Sequence, residues 1–252
     1  MTEERSNGRR RSQELRRGRA LVSPGAGALP VLVVTGLVRE AAALGSDVVP
    51  LISGADAGLL RRALDERAKG AFSAVVSFGL AGGLDPSLSP GTMIVANGVV
   101  AESERFACSP GLVRVLIEGF SGAGVAAREG LVAGVEAPIM TAEGKARLFR
   151  ESGALAVDME SHLAAAFARQ RGLPFAAARV VSDPAGRALP PLAAKAVRAD
   201  GSVDLPLVLR ELGREPRQLL GLIAAGLDSG AAFRTLGRCG PHIGPLLRLA
   251  LS

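Results

Sequence analysis

The acids of residues 155–185, LAVDMESHLAAAFARQRGLPFAAARVVSDPA, stand where apolar runs stop. LAVDME closes on Asp158 and Glu160, PFAAARVVSD closes on Asp183, and ESHLAAAFARQR between them has helical spacing and composition. A strand, helix, strand unit of this kind carries both acids to one sheet edge, at the carboxyl ends of the strands, where α/β proteins bind small molecules. A carboxylate buried there requires a ligand or a polar partner. Paired acids in such a crevice suit general acid–base work, one group moving a proton while another holds polar atoms of the substrate.

The elements that must position these acids alternate between strand and helix. PVLVVTG at 30–36 reads as the first strand, LVREAAALG as a turn and short helix ending near Gly45, and DVVPLIS as a second strand. Asp56–Lys69 follows as an amphipathic helix with Leu59, Leu60, Ala63 and Leu64 on one side. SAVVSFG at 73–79 reads as a buried strand running into a loop, LAGGLDPSLSPG, before TMIVANGVV resumes extended structure. Gly124–Glu136 reads as a bent strand, and Thr141–Glu151 as a helix capped by Thr141. Beyond Pro190, LPPLAAKAVRA, VDLPLVLRELG, PRQLLGLIAAGLD and GPLLRLALS read as short Leu- and Arg-rich helices separated by Gly and Pro, packed on the core or facing a membrane interface. The expected organisation is a tail over residues 1–28, a catalytic domain over 29–200 and a helical extension over 201–252.

Composition narrows the class. A chain of 252 residues, 48% hydrophobic, can bury a full core. No apolar run reaches the length of about 20 residues that a membrane span needs, and the amino terminus lacks the apolar core of a signal peptide, so the chain reads as soluble and cytoplasmic. The net charge of +6 is concentrated in residues 1–20, which hold seven Arg against three Glu. That segment is expected to be disordered, as a solvated extension or a weak electrostatic tether to anionic lipid or nucleic acid. With no Trp or Tyr and eight Phe, base-stacking surfaces are poorly supplied, and nucleic acid is not the expected partner. Cys108 and Cys239 fit neither a disulfide framework nor a zinc cluster and read as free thiols.

Four segments fit one site: TGLVRE at 35–40, SFGLAGGLDPSLSPG at 77–91, VDMES at 157–161 and VVSDPA at 180–185. In order, spacing and content they resemble the purine nucleoside phosphorylase and nucleosidase superfamily over Val31 to Pro184, the pairing of an M-E step with an S-D step being the specific part. Within it, the ESH after the M-E step, the SDPA ending and the Leu/Arg-rich carboxyl-terminal helices are most similar to the hopanoid-associated branch, to which release of adenine from adenosylhopane is ascribed. The resemblance implies an α/β fold, a three-layer αβα sandwich with a mixed central sheet, and cleavage of a nucleoside N-glycosidic bond. It also implies a homo-oligomer, because relatives build their sites near subunit contacts, and a lipid-linked substrate would give the tail and helices a reason for weak peripheral membrane contact.

Breaking a ribosyl C–N bond makes the sugar oxocarbenium-like while negative charge grows on the departing purine, so an acid is needed near the base and a carboxylate near the sugar hydroxyls. By resemblance Asp183 protonates the purine N7, burial favouring its protonated form, and Glu160 holds the ribose with Met159 against the sugar face. Ser182, Gly79, Ala81 and Gly82 are the further substrate contacts. Glu40 falls where hydrolytic members carry a water-activating Glu and phosphorylases an Arg, although the adjacent Arg39 would grip phosphate if the turn were shifted by one residue. The glycine loop lacks a hydroxyl to bind an anion, but its backbone N–H groups could do so. No cofactor is implied, with phosphate as co-substrate if the reaction is phosphorolytic. Glu136 and Pro138–Met140 are expected to approach the base, and Phe78 or Phe106 could add a ring. His162 reads as a packed or partly exposed histidine, and with His242 far along the chain a metal site is not expected. The rival readings are a phosphorylase of soluble nucleoside salvage and a nucleoside-binding protein without turnover.

Overall fold

The computed structural model describes residues 29–54, 56–189, 192, 198, 200–202, 204–214 and 219–251. The expectations for the Arg-rich tail and for most of the LPPLAAKAVRA helix lie outside them. Eight strands form the described sheet: β1 Val31–Thr35, β2 Val48–Ile52, β3 Ala74–Gly83, β4 Met93–Ala101, β5 Glu104–Ala107, β6 Ala127–Gly134, β7 Ala156–Asp158 and β8 Phe175–Asp183. The order is β2-β1-β3-β7-β6-β4-β5, with β8 paired to both β3 and β4. β1 is parallel to β2 and β3, β3 to β8, and β6 to β4 and β7, while β7 runs antiparallel to β3 and β4 antiparallel to β8 and β5. The pairings β3–β8–β4–β6–β7–β3 therefore close on themselves within a mixed sheet.

That closure corrects the simple strand, helix, strand picture. β7 and β8 are not parallel neighbours; they reach β3 from opposite directions, where Gly82 pairs with Val157 on one side and with Asp183 on the other. The acids still meet, because the ring brings the ends of both strands to the same three-residue stretch of β3. The glycine loop is corrected too. β3 runs unbroken to Gly83, and its glycines, which read as turn residues by composition, belong to a strand that other groups approach closely.

Helices cover both faces, which is why the five residues of β1 and eight of the nine in β8 are buried on alternate sides alike. The helices are α1 Val38–Ala41, α2 Ala57–Arg67, α3 Pro110–Gly122, α4 Ala142–Ser152, α5 Ser161–Gln170, α6 Leu205–Arg214, α7 Leu219–Cys239 and α8 Ile243–Leu251. α5 is alanine-rich, so its backbone can lie close to β3, β4, β6 and β8, and it touches α2. Asp56 caps α2 and Thr141 caps α4, each side-chain oxygen accepting a backbone N–H three residues on. The composition-based reading ended a helix at Asp228, whereas α7 continues for 21 residues through Gly230 and Gly237, packed along β8. None of the described helices is long and apolar enough to cross a membrane.

The carboxyl-terminal extension grips one turn, residues 36–47. Gly201, at φ +77°, offers its carbonyl to the Val38 N–H at 3.1 Å, and a side chain at Gly201 would lie 3.1 Å from Gly36 O. Arg39 lies 3.9 Å above the Phe233 ring on α7, Arg248 of α8 pairs with Asp47, and Gly240 is pressed onto the backbone of Ala43. A Cβ at Gly240 would stand 2.2 Å from Ala43 O, a backbone atom that cannot step aside. Gly240→Ala is expected to destabilise the protein by about 1–3 kcal/mol, whereas Gly237→Ala, with nothing within 4 Å of the added carbon, should stabilise it by about 0.5–1 kcal/mol; urea unfolding of the two variants checks both signs.

Candidate active site

β1 ends at Thr35, and the chain turns at once into α1, whose Glu40 folds back over its own amino end. Glu40 Oε2 accepts from the N–H groups of Gly36 at 2.7 Å and Leu37 at 2.9 Å, and Oε1 from Leu80 N–H on β3 at 2.8 Å. This is the acidic half of a capping box, used here to fix a buried carboxylate rather than to start a long helix. Arg39, next to it, is exposed and lies on Phe233, so the turn has a single register: Glu40 faces inward and Arg39 outward.

The two acids of β7 and its exit divide their work. Asp158 takes the helix: its Oδ1 accepts from Glu160 N–H at 3.1 Å and Ser161 N–H at 2.8 Å. Glu160, two residues on, makes no cap and turns its carboxylate to Ser53 Oγ, which donates to it at 3.0 Å. Between them lies Arg179, fully buried in the middle of β8. Its Nε is 2.6 Å from Asp158 Oδ2 and its Nη1 is 3.4 Å from Glu160 Oε2, while Ser77 Oγ and the Leu80 carbonyl take further N–H groups. Removing one partner of such a buried pair costs about 3–5 kcal/mol, because a charge is left without compensation.

One buried guanidinium thus serves three buried carboxylates, and the imbalance appears in the titration of Glu160 and Glu40. Burial pushes Glu160 up to about 7, opposed by Arg179 and reinforced by the charges of Asp158 and Glu40. Glu40 is raised by the same burial despite Arg179 and its three backbone donors. The packing leaves no room for side chains nearby. A Cβ on Gly36 would lie 3.0 Å from Glu160 Oε1 and 3.4 Å from Glu40 Oε2, and one on Gly79 would fall 2.7 Å from Glu40 and 2.8 Å from Arg179.

Asp183 lies three residues further along β3, beside Gly82. Ser182 Oγ donates to its Oδ1 at 2.7 Å, and the Lys145 ammonium pairs with its Oδ2. Lys145 also donates to the carbonyls of Pro184 at 3.0 Å and Arg187 at 3.1 Å, so it sits at the root of the loop that follows β8.

Glu40, Ala81, Gly82, Met159, Glu160, Ser182 and Asp183 all line one cavity of about 300 Å³, with Leu37, Val135, Pro138, Ile139, Val157 and Leu189 as its apolar wall. Of the sequence-derived candidates, Gly79 stands behind this surface, under Glu40. Glu136 is turned away: Arg61 holds it, His162 Nε2 is 3.0 Å from it, and the Arg61 hydrogen bonds chiefly, then His162, depress it to about 2. Phe78 is plain core and Phe106 lies under Arg169. His162 is buried, with Nδ1 lacking a partner among the described residues. Cys108 and Cys239 are buried, free, and pushed up to about 12 by that burial, which keeps them as thiols. No three His, Cys, Asp or Glu side chains among the described residues are grouped to hold a metal ion.

Lys145, Arg179 and Ser53 were not singled out from sequence. Arg179 left a trace, a lone cation inside the apolar run PFAAARVVSD; Lys145, in a charge-rich helix, left none.

Because the folded state favours the protonated form of Glu160, its contribution to stability is fully present below about pH 4.5 and is lost as pH rises through about 7. Melting temperatures measured from pH 4 to 8 should therefore fall for the parent relative to Glu160→Gln across that window.

Comparison with known proteins bears on the family and the fold. The family model described as the phosphorylase superfamily matches residues 30–203. The fold is similar to that of 5′-methylthioadenosine/S-adenosylhomocysteine nucleosidase from Helicobacter pylori with butyl-thio-DADMe-Immucillin-A (TM-score 0.62, 14% identity, 88% of this chain and 97% of that one). It is similar also to the corresponding nucleosidase from Neisseria meningitidis with methylthio-immucillin-A (0.63, 16%, 87% and 99%) and to native futalosine hydrolase of Helicobacter pylori (0.57, 17%, 62% and 88%). Comparison with curated protein sequences yields no significant match. Since the matched segment spans both β1 with its Glu40 turn and β8 with Asp183, the chain belongs to the phosphorylase superfamily.

Proposed function

We propose that this protein cleaves the N-glycosidic bond of a purine nucleoside with water as the acceptor. The observation that carries the reading is the orientation of the β1 turn: a carboxylate held by three backbone N–H groups faces the cavity, and the neighbouring cation that could grip phosphate is packed on Phe233 outside it. A negative side chain at that wall repels phosphate and can accept a proton from water aimed at the anomeric carbon.

In this reading the C1′–N9 bond breaks with its electrons going to the purine, N7 takes a proton from Asp183, and water adds to C1′ as its proton passes to Glu40. Glu160 accepts hydrogen bonds from the ribose hydroxyls, and Met159 lies against the sugar. Asp183 faces Lys145 as its counter-ion, so the proton that N7 receives is taken up with the substrate. The cavity volume is at the lower end of the range for small-molecule sites, which runs from about 300 to 1,000 Å³; it suits a nucleoside, and a larger 5′ substituent would extend beyond it.

An adenosyl compound is the favoured substrate. A Helicobacter pylori nucleosidase of this fold holds 5′-methylthioadenosine in its active site, and the ESH, SDPA and carboxyl-terminal features support adenosylhopane in particular. A cytoplasmic homo-oligomer, touching the membrane weakly through the tail and the Leu/Arg helices, completes the proposal.

Incubating the purified chain with adenosine, methylthioadenosine, inosine and a lipid-linked adenosine, with and without phosphate, tests it. Free ribose and adenine, formed equally well without phosphate, are expected, with the lipid-linked compound turned over fastest. Strict phosphate dependence with a ribose 1-phosphate product would overturn the assignment of Glu40. Glu40→Gln and Asp183→Asn should each lower kcat by roughly 10²- to 10⁴-fold, while a parent that binds adenine analogues but turns nothing over would point to a binding protein.

A further inference from the structure

Helix α4 has one fully buried residue, and it is a lysine. An ammonium in that position is costly to desolvate, and an apolar side chain of similar volume would serve stability as well or better. Its surroundings point to a different purpose. All three ammonium hydrogens have an oxygen, on Asp183, Pro184 and Arg187, so Lys145 is a satisfied cation with nothing left to donate to a ligand. Its one ionic partner is the acid that faces the base in the reading above.

We infer that Lys145 is a positioning residue that fixes Asp183 as a hydrogen-bond acceptor toward the purine, so that binding rewards a donor at ring position 7. The inference rests on the nucleoside reading and names what that site recognises. The ammonium holds Oδ2, and Ser182 Oγ, also 3.2 Å from the Ala81 carbonyl, lies 2.7 Å from Oδ1, so the carboxylate is held from two sides. Its remaining lone pairs are acceptors, and the N7–H and 6-amino group of an adenine that has taken up its proton match them. Lys145 also anchors the loop after Asp183 through its two carbonyl contacts; Leu189 of that loop lines the cavity and its N–H donates to Met140 O at 2.9 Å.

Two bases that cannot be turned over isolate the effect. 9-Deazaadenine has an N–H at the position of N7, 7-deazaadenine has a C–H there, and both carry the 6-amino group. Calorimetric titration of the parent should show 9-deazaadenine binding about 10- to 100-fold tighter, as one charge-assisted hydrogen bond provides. In Lys145→Met and Lys145→Gln the carboxyl lacks its cation, takes a proton rather than stand alone as a buried charge, and the ratio should fall below about threefold. A parent that binds neither base would remove the nucleoside reading itself. Equal binding of the two by the parent, or variants that weaken both bases alike and keep the ratio, would leave Lys145 as a loop anchor and overturn the inference. If circular dichroism shows both single variants unfolded, Lys145→Met combined with Asp183→Asn, which removes both charges, is compared with Asp183→Asn alone. The same ratio in both supports action through Asp183, and different ratios overturn it.

Discussion

Arg179 is the constraint on which the site depends. Three carboxylates from two separate parts of the chain, Glu40 from the first turn and Asp158 and Glu160 from the exit of β7, are buried around a single guanidinium that solvent does not reach. A guanidinium is planar and keeps its charge under all ordinary conditions, and its five N–H groups can face several partners at fixed angles. A lysine in its place would offer a point charge to one of them. The fan of contacts to Asp158, Glu160, Ser77, Ser161 and Leu80 therefore fixes where β7, β8 and the start of α5 stand relative to β3. One positive charge faces three negative ones there, and burial raises Glu160 and Glu40 against the opposing pull of Arg179.

The ring of strands is what lets so much charge be packed so closely. In an ordinary strand, helix, strand unit the two strand ends lie side by side, a strand width or more apart. Here β7 and β8 flank β3 from opposite directions, so acids that are distant along the chain are delivered to successive residues of one strand. The cost falls on β3, which must have no side chains where the carboxylates lie. Gly79 makes room for Glu40 and Arg179, and Gly82 for Asp183 and the Lys145 stem. The glycines are thus spacers beneath the acids. That function differs from cradling an anion, and it explains why a strand carries a composition otherwise typical of a turn.

How far the sequence could be read follows from these details. The ends of apolar runs announced Asp158, Glu160 and Asp183, and the alternating pattern of strands and helices was plain from hydrophobic spacing. The division of roles between Asp158 and Glu160 was not, because both stand near the amino end of α5 and only the coordinates tell which one caps it. Periodicity failed along β3, where close approach by groups from elsewhere overrides local propensity, and it gave no sign of α3 or β5, in the segment from Ala101 to Gly122. The helical segment read as ending at Asp228 runs on as α7 to Cys239 because it packs along β8. Lys145 was illegible for a simpler reason: one lysine among the charges of AEGKARLFRES is indistinguishable from its solvated neighbours until the helix is docked.

Docking also decides what the carboxyl-terminal extension contributes. Contacts from Gly201, Phe233, Gly240 and Arg248 fall on the short turn of residues 36–47, and Asp228 of α7 pairs with Arg187 in the loop after Asp183. A four-residue helix such as α1 has too few hydrogen bonds to hold itself, and a carboxylate on an unsupported turn would sample many positions. The extension supplies the missing constraint from outside, by occupying the Val38 N–H, the Arg39 side chain and the Ala43 carbonyl face at once. Each of these contacts leaves Glu40 only one way to point. The slip between Arg39 and Glu40 that the sequence left open is thereby excluded by residues nearly two hundred positions away, whose packing determines which of the two faces the cavity; in the proposed reading, that orientation is what favours water over phosphate.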